Sequence, residues 1–214
     1  MKLRPHQRKS LEEIVPIIDK YKLCLLSGEM RIGKSFIALS LANIYGGEVL
    51  FVTRKKAIKS VESDAEALGM TCKLTIINTE SLHKITPIRW KLIICDEAHM
   101  GYCGFPKRSK AWSQMAVHFS RSAAPALLMS GTLFPETLAQ AFNMITMTGR
   151  GPWFKYKDFF SWWRPIGYHK NKVNGAYGVA DAIKRTGTGF DCPDYAAVHD
   201  DKIMRDINPY MVKC

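Results

Sequence analysis

The sequence predicts a three-layer α/β/α fold with a mostly parallel central sheet, on three observations. Short, continuous apolar runs recur along the chain without the in-out alternation of a half-exposed sheet, as expected of strands covered on both faces. Stretches with helical spacing of apolar residues separate those runs. Residues able to do chemistry fall just past the runs, at Gly28, Thr53, Asn78, Asp96 and Ser130, where parallel sheets bind ligands.

Taken in order, Leu11, Ile14, Val15 and Ile18 mark a first helix that Pro16 is expected to interrupt or bend. A strand over about 22–27 follows, then a glycine-containing loop and a helix over about 34–45 that Gly46-Gly47 stops. Glu48 to Thr53 is a second strand, and the basic run from Arg54 to Lys59 opens a helix ending at Gly69. Cys72 to Asn78 and Trp90 to Cys95 are the third and fourth strands. A helix over about 109–120, a fifth strand at 126–129 and a helix over about 135–147 complete the alternation. From Gly149 the texture changes. Trp153 to Trp163 is crowded with aromatics, predicting a docked helix or a surface for another domain. Arg164 to Val198 reads as an irregular basic insertion, and a last helix lies near Asp200 to Ile207. Residues 1–148 are therefore expected to form the core, and 149–214 the C-terminal part of the same unit.

Among 214 residues, 31 Lys and Arg stand against 19 Asp and Glu, a net charge of +12. An excess of this size points to a polyanionic partner, usually nucleic acid. The six cysteines form no C-x-x-C pair, and Cys24 and Cys95 lie inside apolar runs, the pattern of thiols serving as small hydrophobes in a reducing compartment. The opening residues lack a signal-peptide apolar region, and no run reaches membrane-spanning length. A soluble intracellular protein is expected, cytoplasmic or associated with nucleoid or nucleus, with no membrane partner.

Ser27 to Ser35 reads S-G-E-M-R-I-G-K-S, matching the phosphate-loop pattern G-x-x-x-x-G-K-[ST] at Gly28, Gly33, Lys34 and Ser35. Strand before and helix after are the context the motif requires. Backbone N–H groups of Gly28, Glu29, Met30, Arg31, Ile32 and Gly33 would turn toward phosphate oxygens, aided by the helix N-terminus. Lys34 would reach the β- and γ-phosphates and the Ser35 hydroxyl would ligate Mg²⁺. Asp96, after the fourth strand, is the natural carboxylate for the same Mg²⁺, and Glu97 is placed to orient and deprotonate an attacking water. An adjacent glutamate favours hydrolysis over transfer to a second substrate. No N-K-x-D guanine-specificity motif occurs.

Asp96-Glu97-Ala98-His99 with Ser130-Gly131-Thr132 resembles motifs II and III of superfamily 2 helicases and translocases. Leu3-Arg4-Pro5-His6-Gln7 resembles the adenine-recognition segment of the Swi/Snf-type (DEAH-box) branch. Ile76 to Leu82 resembles motif Ib, Leu50 to Leu68 is similar in place to motif Ia, and Asn208 to Lys213 resembles the end of the first motor lobe. Arg31 stands where that branch has glycine, and Leu133-Phe134 where it has Pro-Ile.

The resemblance implies a RecA-like first lobe that binds ATP and Mg²⁺, with Gln7 and Arg4 at the adenine. It implies backbone contacts to nucleic acid, double-stranded DNA foremost, from Thr53, Arg54 and Lys55 and from Asn78, Thr79, Glu80 and Ser81. His99 would relay nucleotide state to Ser130, Gly131 and Thr132. A second RecA-like lobe, in the same chain or another, would supply arginine fingers worth roughly 10³–10⁵ in rate. Without it, weak turnover is expected. An RNA helicase lobe and a nucleotide-gated binding module without efficient turnover are the alternatives.

Overall fold

The computed structural model describes residues 3–29, 31–103, 108–133, 138–159, 161–162 and 200–214. Met30, Lys107, Phe134, Phe160, Trp163 and the expected insertion at 164–198 lie outside them.

Helix α1 (Pro5–Tyr21) begins on a proline, whose missing N–H is harmless at the first helical position. The expected break at Pro16 does not occur, and the helix runs on to Tyr21. Pro16 and Glu12 are both exposed, so the Glu12 carbonyl that Pro16 deprives of a donor lies on the solvent side. Ile14 and Ile18, one turn apart, are fully buried on the other face.

Six strands form one sheet: β1 (Leu23–Ser27), β2 (Glu48–Thr53), β3 (Lys73–Asn78), β4 (Leu92–Cys95), β5 (Ala126–Ser130) and β6 (Met211–Lys213). Their order is β3-β2-β4-β5-β1-β6, and every pairing is parallel. The four inner strands β2, β4, β5 and β1 are almost wholly buried, whereas edge strand β3 is only half-buried. Strand β6 was not expected. It adds three residues beside β1, in register from Leu25↔Met211 to Ser27↔Lys213.

The period of two divides the inner strands between two apolar layers. Cys24, Leu26, Val49, Phe51, Leu92, Ile94, Leu127 and Met129 face α1, α2 (Lys34–Tyr45) and α3 (Ile58–Leu68). Leu23, Leu25, Leu50, Val52, Ile93, Cys95, Ala126 and Leu128 face the opposite layer. That layer holds α4 (Ala98–Tyr102), α5 (Lys110–Ser122), α6 (Ala141–Thr146) and α7 (Asp200–Ile207). Burial of each large aliphatic side chain contributes roughly 1.5–3 kcal/mol. This is the three-layer, RecA-like arrangement, with a sheet parallel throughout.

Of the described aromatics after Gly149, Trp153, Tyr156, Phe159, Trp162 and Tyr210 belong to the second layer. Trp153, Phe159 and Trp162 are buried, and Trp162 and Phe159 lie 4.9 and 5.7 Å from Phe142 between ring centroids. Trp153 Nε1 donates to Asp206 Oδ2 at 2.9 Å, tying this segment to α7. Phe154 alone of the described aromatics here is exposed, at 67%. Of the helix expected over 135–147, the described residues form a 3₁₀ turn (Leu138–Gln140) followed by the short α6.

Candidate nucleotide site

Parallel pairing sets the ends of β1, β2, β4 and β5 side by side. Ser27 pairs with Ser130, and Cys95, one residue before Asp96, pairs with Val52, one residue before Thr53. The phosphate-loop sequence, Asp96-Glu97 and Ser130-Gly131-Thr132 therefore meet along one edge, and Gly28 N–H donates to the Ser130 carbonyl at 3.3 Å.

The loop's geometry explains its glycines. A Cβ on Gly28 would stand 2.3 Å from Ile32 Cδ1 and 2.7 Å from the Cys214 carbonyl oxygen. Gly33 takes φ +86° at the N-cap of α2, and a Cβ there would strike the Gln7 amide. No side chain caps α2, leaving its first-turn N–H groups to other acceptors. Arg31 has φ +69°. The left-handed conformation that glycine adopts freely is thus imposed on an arginine, at about 1–2 kcal/mol.

Lys34 Nζ donates to the Gly28 and Glu29 carbonyl oxygens at 2.6 and 2.8 Å. The ammonium is folded onto its own loop. Gln7 is buried: its Oε1 accepts from Arg4 N at 2.9 Å and its Nε2 donates to the Ile32 carbonyl at 3.2 Å. It therefore caps α1 and braces the loop, with one Nε2 hydrogen left over. His6 Nε2 lies 3.1 Å from the same Ile32 carbonyl, and the Arg4 side chain is exposed.

Asp96 Oδ2 accepts from Thr53 Oγ1 at 2.8 Å and Oδ1 from Glu97 N at 3.0 Å. Burial raises the Asp96 carboxyl above its ordinary pKa, with Thr53 and, more weakly, Lys34 pulling it back. Each carboxylate oxygen keeps a lone pair for a cation, and among the described residues the Ser35 hydroxyl has no hydrogen bond. The pair suits Mg²⁺ held mainly by phosphate oxygens and water. No described cluster of three or more His, Cys, Asp or Glu would hold a metal alone.

Glu97 sits at φ +48° as the N-cap residue of α4, its Oε2 3.3 Å from His99 Nδ1. His99 Nδ1 is also 2.6 Å from Ser130 Oγ. Ser130 Oγ donates to the Thr132 carbonyl and accepts from Thr132 N–H. One assignment satisfies all of these contacts: Nδ1 carries the proton, shared between Ser130 Oγ and Glu97.

The nucleic-acid candidates separate. Thr53 is fully buried and its hydroxyl is engaged by Asp96, so it braces the carboxylate and, in this arrangement, is kept from a phosphate backbone. Arg54 and Lys55 are exposed. Lys55 bears electrostatically on Glu80, and Arg54 on His99. Asn78 Nδ2 donates to Glu80 Oε2, and Thr79 and Ser81 lie half-buried on a 3₁₀ turn (Thr79–Lys84). Sequence reasoning missed Tyr102. It is buried against β4 and the Thr79 turn, its hydroxyl beside Cys95 and Thr79 but without a well-aligned hydrogen bond. A five-residue helix carries too little periodicity to announce it.

Fold and site together define a RecA-like α/β unit bearing a phosphate-loop sequence. No family model and no curated protein matches the chain. Among solved structures it is similar to a nuclease-deletion mutant of the Type ISP restriction-modification enzyme LlaGI in complex with a DNA substrate mimic (TM-score 0.47, 14% identity, 62% of this chain and 18% of that one). It is similar also to the Hef helicase domain of Pyrococcus furiosus (0.48, 20%, 69% and 36%). A third is a mutant large terminase ATPase domain of a Thermus phage (0.43, 11%, 99% and 95%). The chain thus spans well under half the length of the first two.

Proposed function

We propose that this chain is the ATP-binding first lobe of a nucleic-acid motor of the Swi/Snf type, acting on double-stranded DNA. One observation carries the reading: the phosphate-loop sequence, Asp96-Glu97 and the His99–Ser130–Thr132 network share one edge of the sheet. In this reading Lys34 exchanges the Gly28 and Glu29 carbonyls for phosphate oxygens. Ser35 and Asp96 would hold Mg²⁺, which supplies charge neutralisation of the phosphates when bound. Glu97 orients water and accepts its proton, while His99 fixes the Glu97 carboxylate and connects it to the strand bearing Ser130. Arg54 and Lys55 meet backbone phosphates through salt-sensitive contacts blind to sequence. A second lobe completes the cleft, so turnover by the 214-residue chain is weak.

The test is Mg²⁺-dependent binding of a fluorescent ATP analogue, paired with ATPase assays with and without duplex DNA and RNA. Wild type binds nucleotide, Lys34→Ala does not, and Glu97→Gln binds but abolishes the residual turnover. Vigorous DNA-stimulated turnover by the purified chain would contradict the need for a second lobe. Turnover unaffected by Glu97→Gln would contradict the assigned base. The hold on Lys34 by loop carbonyls favours one alternative, a nucleotide-gated binding module, in which Glu97→Gln leaves nucleic-acid binding and its response to ATP intact.

A further inference from the structure

A cavity of about 460 Å³ opens between the Thr79–Lys84 turn, α4 and the N-terminal end of α5. Its size is that of a small-ligand pocket. Met100, 62% exposed, and Ala111 give it apolar surface. Gly101 brings α4 so close to the turn that a Cβ would stand 3.0 Å from Thr79 Cγ2. Around this surface stand Glu80, His83, Lys110 and Gln114. Among the described residues, His83, Lys110 and Gln114 have no hydrogen-bond partner, and Glu80 has one side-chain donor, Asn78.

The lining selects a class of ligand. The flexible, polarisable thioether of Met100 beside the small Ala111 suits an aromatic ring. Glu80 is held ionised by its own backbone N–H, Asn78 and Lys55, so it accepts and cannot donate. Lys110, in the first turn of α5, adds positive charge near the helix N-terminus. The ring must therefore offer N–H donors on its edge and carry a negative group nearby, as a nucleotide does. The pocket adjoins Thr79 and Glu80, next to Arg54 and Lys55.

We infer that this cavity receives one unstacked base of the bound strand, selecting bases with an exocyclic amino group through Glu80 and Gln114. The inference rests on the nucleic-acid reading above. Phosphate contacts by Arg54 and Lys55 hold any strand, and the pocket adds affinity where a nucleotide is unpaired. Thymine and uracil, whose only edge donor is N3–H, gain less than cytosine, adenine or guanine, which carry an exocyclic amino group.

The experiment measures fluorescence anisotropy of three short DNA duplexes: fully paired, with a single-nucleotide dC bulge, and with an abasic bulge. The dC bulge should bind about ten-fold more tightly than the abasic bulge, the effect of stacking and edge contacts on one base. Ala111→Trp, which fills the cavity, should erase that difference and leave the paired duplex unchanged, with ATP-analogue binding as the check on folding. Gln114→Ala, which leaves Met100 and Ala111 in place, should weaken the preference for dC over a dT bulge. Equal affinities for dC and abasic bulges, with the paired duplex bound, overturn the pocket alone. Failure of every duplex to bind overturns the nucleic-acid reading and this inference with it.

Discussion

Thr53 Oγ1 donates to Asp96 Oδ2 at 2.8 Å, joining the ends of two neighbouring strands through a part-buried side-chain bond. Burial pushes Asp96 toward its neutral form and Thr53 resists that push. Thr53→Val keeps the shape and removes the donor, so the carboxyl pKa should rise further. Mg²⁺-dependent nucleotide affinity should fall, by no more than the roughly 1.5–3 kcal/mol that a hydrogen bond to a charged acceptor is worth. The loss should deepen as pH is lowered. Isothermal titration at two pH values checks this, and unchanged affinity would leave Thr53 a packing residue only.

Gly28→Ala should disable the loop. The added methyl meets a backbone oxygen at 2.7 Å as well as the flexible Ile32 side chain, and only the latter moves aside cheaply. A cost of about 1–3 kcal/mol in denaturant unfolding is expected, together with loss of nucleotide-analogue binding.

Arg31→Gly should act in the opposite direction. It removes the left-handed strain at φ +69° but adds unfolded-state entropy, for a net gain of up to about 1 kcal/mol. Ala123→Gly provides the control: Ala123 ends α5 at φ +51°, its N–H donating to the Phe119 carbonyl. Both variants should stabilise, but only Arg31→Gly should alter nucleotide binding. Melting curves with and without the ATP analogue separate them.

Burial lowers the pKa of both His99 and His118 from the ordinary 6.5. At His99, Glu97 and Asp96 oppose the shift and Arg54 reinforces it. A histidine depressed on folding adds stability above its unfolded pKa of about 6.5 and loses it as pH falls through the lower folded value. The melting temperature should decline on acidification through that window, and a His99→Gln, His118→Gln double variant should flatten the decline. A wild-type curve already flat there contradicts the assignment.

Trp162→Ala should cost about 3–5 kcal/mol, since Trp162 is fully buried among Phe142, Trp153 and Phe159. A single cooperative unfolding transition, shifted as a whole, would show that 149–162 is integral to the unit. Two transitions would show an appendage.

The sequence announced what repeats and what is local. The apolar runs marked five strands to within a few residues, because each run is a pattern confined to a short window. Strand β6 escaped because three residues after Pro209, ending in Lys213, carry no run of their own, and their strand character comes from pairing with Leu25 to Ser27. The interruption expected at Pro16 is absent because the cost of a proline depends on whether the freed carbonyl faces solvent, which one residue does not reveal. The resemblance implied a backbone contact for Thr53 and gave no sign of its bond to the Asp96 carboxylate. That bond spans 43 residues, and nothing local encodes it. Gln7 shows the same limit, its amide serving a loop 25 residues away.

The placement of β1 has a consequence for the order of folding. The strand that launches the phosphate loop pairs with β5 and β6 alone, and Cys214 N–H closes on the Ser27 carbonyl at 2.9 Å. Residues 22–27 thus leave the ribosome roughly a hundred residues ahead of their first sheet partner, an interval during which α1 and α2 are the nearest cover in sequence for their apolar side chains. Such distant pairing slows the search for the native sheet and exposes intermediates to aggregation. ATP added during refolding should therefore rescue yield only late, after β5 has joined β1.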